Sequence, residues 1–575
     1  MTSIPGFENL EKIKRDYQWF DLNTHKYGPL KKGQKYCGGV PLLYDAESQR
    51  IYVDSTDTHS LVFGATGSLK TRSIVMPTIK MLSYAGESMI INDAKGELYD
   101  RLANDLVKQG YEIVVINLRE PITGNCWNPL YLPYQFYLNG DIDRACEFIN
   151  DIANNLTVEE SSNQDPFWNN SAADLIFGLV LLLFKYCKEH NEDISAVNIS
   201  NILALRRKLF ENTQNRLKGP KDTAIWQYAS SDELIAASLS GTVFSPSDTM
   251  NSILSVFDNI MRIFSQQPTL TQMLANNDFD IADIGRKRMA LFIVIQDEKT
   301  NYHKLCSLFI KQSYEYLIFT AMSSGRKKLE NRVFYCLDEF SALPSVADFP
   351  AMITAARSRD IRFLLVVQSQ SSLKRRYKEE AETIVSNCSN WIFFTSRELS
   401  LLRELSELCG MQKNNHTPNI STYELQHFSK EKREALLLCG RYRPAKVTMI
   451  DIDNPLLSGK SYDILRIPVT ERQKRTILDF EVKEPEEVST EIFDSDHILR
   501  DISALSAWNN SPHETGIITP TQDTNTVFEA AVADVEKRMV ELTPKNTEFV
   551  QNTLDEEDQE PGSLEELLRQ LRSED

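Results

Sequence analysis

The chain has few of the features that would place it in a membrane, a secreted scaffold or a metal enzyme. Its longest apolar run, Leu175 to Phe184, is ten residues in a chain of 575. A bilayer-spanning helix needs about 20, so this run reads as a buried helix, and no membrane anchor of the chain's own is expected. Residues 1–20 mix charge with Tyr, Trp and Phe, unlike a signal peptide. The nine cysteines are odd in number and lack a C-x-x-C pair. Cys336 and Cys388 sit on or beside apolar runs, and buried free thiols in a reducing compartment are expected. The eight histidines and nine cysteines supply no metal, Ser/His hydrolase or redox constellation. Basic residues are not in excess either: the formal net charge is −18. Residues 478–575 hold 25 acids against 7 bases, which leaves residues 1–477 with 56 of each. The acidity therefore belongs to the tail, and a basic face on the body stays compatible with nucleic-acid binding.

What is present is an α/β pattern. Short apolar runs recur at Leu61–Phe63, Ser88–Asn92, Glu112–Asn117, Met289–Ile295, Val333–Leu337, Ile361–Gln368 and Trp391–Thr395. Runs this apolar read as strands buried on both faces, hence a predominantly parallel sheet covered by helices. The stretch 138–241 lacks strand signals and shows helical ones at Asp141–Asn150, Ala172–Lys188, Ile199–Phe210 and Asp232–Ser238. It reads as an all-helical domain inserted between two parts of a nucleotide-binding domain, residues 51–137 and 242–475. Residues 1–50 precede that domain. Residues 476–575 read as a largely disordered acidic tail. Two capping-box patterns in the tail, at Thr526–Glu529 and Ser563–Glu566, predict short helices, the last suited to folding on a partner.

Two segments about 270 residues apart carry the chemistry. In the first, Gly64, Ala65, Thr66, Gly67, Ser68 and Leu69 precede Lys70 and Thr71 directly after a strand. Such a loop offers backbone N–H groups, an ammonium and a hydroxyl to a polyphosphate and its Mg2+. In the second, an apolar strand ends in Asp338-Glu339. Asp338 would join Thr71 in holding the metal, and Glu339 would take a proton from the attacking water. ATP and Mg2+ are the expected cofactors. One departure stands out: Leu69 occupies the place where the P-loop pattern G-x-x-x-x-G-K-[ST] has glycine. It leaves the rate of hydrolysis open.

The ordered series of motifs goes further. Asn92-Asp93-Ala94-Lys95-Gly96-Glu97-Leu98 resembles the D-P-K-G-E-L signature of the TraG/TraD-like coupling proteins of type IV secretion and conjugation. Asn128-Pro129-Leu130, Trp168, Leu337-Asp338-Glu339-Phe340, Ala355–Arg359 and Val366–Ser369 continue that pattern, as do Tyr377-Lys378 and Asn387-Cys388. The resemblance covers roughly residues 55–450. It implies a RecA-like domain carrying an all-alpha domain, assembled as a homo-hexamer with ATP between subunits. By resemblance Arg357 is the arginine finger acting on a neighbour's ATP, and Gln368 senses the γ-phosphate. The implied function is an ATP-driven motor that recruits relaxase-bound DNA, in single-stranded form, to the secretion channel.

The implied partners are the relaxase or accessory proteins and a membrane subunit of the channel. The implied location is cytoplasmic, at the inner face of the cell membrane. Residues 1–50, with Tyr17, Trp19, Phe20 and Tyr27, are either a docking segment for that subunit or a hairpin packed on the sheet. The cluster Lys374-Arg375-Arg376-Tyr377-Lys378 is either a solvated helix face or a DNA contact in which Tyr377 would be free to stack on a base. Competing readings are a docking adaptor with little ATPase activity, a coupling protein for protein-only cargo, and another DNA translocase of the same superfamily. The D-x-K-G-E run and the helical insertion count against the last.

Overall fold

The computed structural model describes residues 7–481 except 9, 29–36, 158–164, 211–218, 297, 299–301, 413–416, 441, 459–463 and 470. Most of the expected acidic tail, with its two capping boxes, therefore lies outside the described residues. Strands β1 (Gln18–Asp21), β2 (Lys26–Tyr27), β3 (Val40–Asp45) and β4 (Arg50–Asp54) form an antiparallel sheet in the order β2-β1-β4-β3. The N-terminal unit thus runs to Asp54 rather than ending at residue 50. Its aromatic residues serve the fold. Phe20 and Tyr27 are buried, Trp19 lies 3.8 Å from the Arg50 guanidinium, and Tyr17 packs on Tyr442 with ring centres 5.5 Å apart. Of the two readings of residues 1–50, the packed one describes these side chains.

The main sheet has nine strands: β5 (His59–Phe63), β6 (Ser88–Asp93), β7 (Glu112–Asn117), β8 (Met289–Val294), β9 (Val333–Leu337), β10 (Ile361–Val367), β11 (Cys388–Phe393), β12 (Glu434–Cys439) and β13 (Ala445–Thr448). They lie in the order β13-β12-β11-β5-β10-β9-β6-β8-β7. The seven from β5 to β11 are mutually parallel, and β12 and β13 close one edge antiparallel. Strands β5, β6, β8, β9 and β10 are buried along their whole length. That burial explains the apolar runs within them, because both faces are covered.

Between β7 and β8, from Tyr131 to Ile284, the described residues form helices and no strand. At their centre is Pro166–Glu189, capped by Asp165, whose carboxylate accepts from Phe167 N. This 24-residue helix has the length and hydropathy of a membrane span, yet all of Leu175–Phe184 is buried within the protein. The helical stretch passes residue 241, where the return to the nucleotide-binding domain was expected. Helix Ser247–Gln266 keeps one apolar face (Met250, Ile253, Leu254, Phe257, Met261, Phe264) against it, and the next strand starts only at Met289. Those residues share one continuous core with Leu291 and Leu337 of the sheet.

The body also extends past residue 475. Gly124 N donates to Pro468 O at 2.9 Å, and Asn198 and Asn201 each donate to Thr476 O at 3.0 Å. Leu478 N donates to Asn201 Oδ1 at 3.1 Å, and Phe480 is buried against Tyr186 with ring centres 4.9 Å apart. Residues 476–481 are thus packed chain, not tail, because asparagine side chains satisfy an extended backbone and an aromatic ring anchors its end. Phe480→Ala is expected to cost about 3 kcal/mol, read as a lower urea midpoint with faster amide exchange at residues 476–481. An unchanged midpoint and unchanged exchange would show that the ring does not hold the segment.

Candidate functional site

The loop after β5 sits on the C-terminal ends of its two neighbours. Gly64 N donates to Val367 O of β10 at 3.3 Å, and Ala65 N donates to Thr395 O beyond β11 at 2.8 Å. A Cβ on Gly64 would stand 2.5 Å from Ser68 Oγ and 3.1 Å from Lys70 Cδ, so a larger residue would have to displace the Ser68 and Lys70 side chains. Lys70 is buried beneath it and donates to Gly64 O at 2.5 Å and Ala65 O at 3.2 Å. Burial lowers its pKa, while Asp338 and Glu339 act in the other direction. Thr66 and Gly67 are exposed at the crest, and Ser68 Oγ is buried without a hydrogen-bond partner. Leu69 takes φ 66°, the left-handed region that the glycine of the usual pattern occupies freely. Holding a leucine there costs about 1–2 kcal/mol.

Thr71 begins the helical segment that follows, a π-helical turn Thr71–Val75 continuing into helix Met76–Ala85. Its hydroxyl donates to Asp338 Oδ2 at 2.7 Å, across 267 residues of sequence. Asp338 follows β9 and is buried; Asn92 Nδ2, from the adjacent β6, donates to its carbonyl at 2.7 Å. Burial pushes the Asp338 carboxyl up to about 6, opposed by the Thr71 hydrogen bond and the Lys70 charge and reinforced by Glu339. Glu339 is half-buried with φ 52°, and its N–H donates to Asp338 Oδ1 at 3.1 Å. A hydroxyl and a carboxylate in contact, with a second carboxylate beside them, are the hard oxygen donors that Mg2+ takes alongside phosphate oxygens. Among the described residues no cluster of three or more His, Cys, Asp or Glu forms a protein-only metal cage. A magnesium ion here would therefore need ligands from a nucleotide or water.

The other two expected residues go to opposite ends of one strand. Gln368 is exposed at the C-terminal end of β10, which lies between β5 and β9, so it stands between the loop and Asp338-Glu339. Arg357 is exposed in the turn before the N-terminal end of β10. Seven residues of strand separate that end from Gln368, which at ~3.3 Å per residue is about 20 Å or more. The chain does not bring Arg357 to its own site.

The geometry adds two lysines that were not singled out. Lys95 follows β6, and its charge lowers the pKa of Lys70. Lys430 Nζ lies 3.9 Å from where a Cβ on Gly67 would be. The first was legible in the D-A-K-G-E run; Lys430 had no local signal. Two other motif residues prove structural. Asp93 is buried and accepts from Tyr99 N at 2.9 Å, and Asn128 Nδ2 donates to Val197 O at 2.7 Å. Tyr377, expected to be free to stack on a base, is instead buried: its hydroxyl accepts from Val346 N at 3.0 Å and its ring stacks on Phe340. Lys374, Arg375 and Lys378 remain exposed.

This strand order, with a glycine loop on β5 and an acidic pair on β9 flanking β10, defines a RecA-like P-loop fold carrying a helical insertion. The family described as Type IV secretory system conjugative DNA transfer matches residues 17–434, and the chain belongs to it. Its relatives include the type IV secretion system-coupling protein VirD4 of Bartonella quintana (strain Toulouse), 21% identical over 367 residues, 62% of this chain and 54% of that protein. Protein VirD4 of Agrobacterium fabrum (strain C58) is 21% identical over 420 residues, 71% of this chain and 58% of that protein. The chain thus spans little more than half the length of these curated relatives. The solved bacterial conjugative coupling protein TrwBdeltaN70, in a trigonal form with sulphate, shares the fold at TM-score 0.50 and 17% identity, covering 82% of this chain and 96% of that one.

Two outcomes follow from this geometry. Because Asp338 must be ionised to hold a cation, Mg2+-dependent nucleotide binding is expected to weaken as pH falls through about 6. The sign for stability is opposite: a carboxyl raised from 3.8 to about 6 binds its proton more tightly folded than unfolded, so its contribution falls as pH rises between those values. A magnesium titration of nucleotide binding across roughly pH 5 to 8 checks the first, and a flat profile would contradict it. Leu69→Gly removes a positive-φ cost that the empty site already carries, and is expected to raise the urea midpoint and leave nucleotide affinity unchanged. A fall in affinity would show that the leucine side chain belongs to the site.

Proposed function

We propose that this protein is an ATP-driven coupling protein of a type IV secretion or conjugation machine. The observation that carries this reading is the 2.7 Å hydrogen bond from Thr71 to Asp338, which joins the two halves of a phosphate and metal site beside Lys70 and Glu339. Lys70 would leave its carbonyl partners for the β- and γ-phosphates. Thr71 and Asp338 would hold Mg2+, which when bound neutralises charge on the phosphate oxygens. Glu339 would accept a proton from water as that oxygen bonds to the γ-phosphorus. The bond from the γ-phosphorus to the β–γ bridging oxygen breaks, and ADP leaves with its electron pair. Gln368 would report on the γ-phosphate from between the two strands.

Family membership supports the rest of the reading. The cargo is DNA in single-stranded, relaxase-bound form, with the relaxase or accessory proteins and a membrane subunit of the channel as partners. The working form is a homo-hexamer at the inner face of the cell membrane, in which Arg357 reaches a neighbour's ATP. Lys374, Arg375 and Lys378 are its DNA-facing candidates in the body. One observation favours a weaker motor: the strained Leu69 suits a chain that binds nucleotide and turns it over slowly.

The test is ATP turnover by the purified protein with and without single-stranded DNA, beside Lys70→Ala and Glu339→Gln. DNA-stimulated turnover lost in both variants, with nucleotide binding kept by Glu339→Gln, is the expected result. Turnover by Glu339→Gln at the wild-type rate would remove Glu339 from its role. Nucleotide binding without turnover by the wild type would favour the adaptor.

A further inference from the structure

We infer that Lys95 is a second phosphate-directed cation, reaching the terminal phosphate from the side of the acidic pair opposite Lys70. The inference rests on the reading of the β5 loop as an ATP site.

The sheet dictates the placement. Strand β6 pairs with β9 in parallel, with Asn92 opposite Leu337, so the turn that follows β6 lies beside Asp338 and Glu339. Strand β5 approaches the same pair from the other side, across β10. Lys70 and Lys95 therefore flank Asp338-Glu339. The turn is fixed rather than loose. The buried Asp93 carboxylate accepts from Tyr99 N at 2.9 Å and Lys95 N at 3.4 Å, Gly96 takes φ 79°, and Arg119 Nη1 donates to Lys95 O at 3.3 Å. All three hold the backbone and leave the lysine side chain free and exposed.

The charges point the same way. Lys95 stands close enough to Lys70 to depress its pKa. Among the described residues neither ammonium is in ion-pair contact with a carboxylate. Two cations held near each other at the mouth of a loop repel, and an anion between them turns that cost into attraction. In the proposed site the terminal phosphate of ATP would supply such an anion, lying between the two ammonium groups and beside Glu339. ADP lacks that group. Lys95 should therefore discriminate between the two nucleotides, whereas Lys70, placed under the loop, should serve both.

The test measures the affinity of the full chain for a non-hydrolysable ATP analogue and for ADP, each with Mg2+. Lys95→Gln is expected to weaken the analogue by about tenfold, the worth of one charge-assisted hydrogen bond, and to leave ADP unchanged. Lys95→Arg is expected to keep the analogue's affinity. Unchanged binding of both nucleotides in Lys95→Gln, or equal weakening of both, overturns the assignment. Lys70→Ala separates the two levels: if it weakens both nucleotides while Lys95→Gln changes nothing, only this inference falls. If Lys70→Ala leaves both untouched, the ATP-site reading fails and this inference with it.

Discussion

The contact between Thr71 and Asp338 is what the site depends on, and it exists only because the sheet is ordered as it is. A hydroxyl on the first turn of a helix cannot find a carboxylate 267 residues away by local preference. It does so because β5 and β9 are both parallel to β10 and both end at the same edge of the sheet. Parallel strands need crossovers, and each crossover here returns the chain so that the C-terminal ends of β5 to β11 all face one side. Glycine 64, Lys70, Asp338, Glu339, Gln368 and Lys95 all follow strands on that side. The sheet's burial on both faces is therefore the condition for the site, not merely its support.

Burial has a second consequence, since it places charges where water cannot screen them. Lys70 and Asp338 are both shifted toward their neutral forms by desolvation, Lys70 downward and Asp338 upward. Each is partly answered by the other's charge and by hydrogen bonds, yet neither has its natural counter-ion. Lys70 rests on carbonyls of its own loop, and Asp338 accepts a hydrogen bond from Thr71 where a divalent cation would satisfy it better. A site arranged this way gains most when a polyphosphate and a metal arrive together, because each then satisfies the group the other leaves short.

How much of this was legible in the sequence depended on how one-sided each signal was. The seven parallel strands were readable because burial on both faces, complete in five of them, gives each an apolar run. Strands β12 and β13 were not: Ala445–Thr448 alternates buried and exposed, and four such residues resemble many loops. The small N-terminal sheet was legible only as one of two readings, a packed hairpin, its strands being two to six residues long. The end of the helical stretch was placed too early because helix Ser247–Gln266 is amphipathic, and nothing local distinguishes a helix of the insertion from one covering the sheet. The loop residues Gly64 to Thr71 were found by spacing, but the left-handed backbone of Leu69 was visible only as a missing glycine. Tyr377 shows the limit of composition: a tyrosine amid four basic residues looks exposed, and the fold buries its ring on Phe340 instead.

Arg357 and Gln368 show how one strand sets the reach of a site. Both belong to the stretch around β10, yet the strand holds them at its two ends, and the sheet is too rigid for either to move to the other. In the proposed function Gln368 would serve the nucleotide of its own chain, and Arg357, exposed at the far edge, one held by another molecule. The parallel strand would then separate the group that senses a phosphate from the group that neutralises it across a boundary. In the proposed ring, that separation would make each subunit's chemistry conditional on its neighbour's position. Rotation of one subunit against the next would withdraw the arginine charge from the γ-phosphate without disturbing the Thr71–Asp338 contact, which lies wholly within one chain.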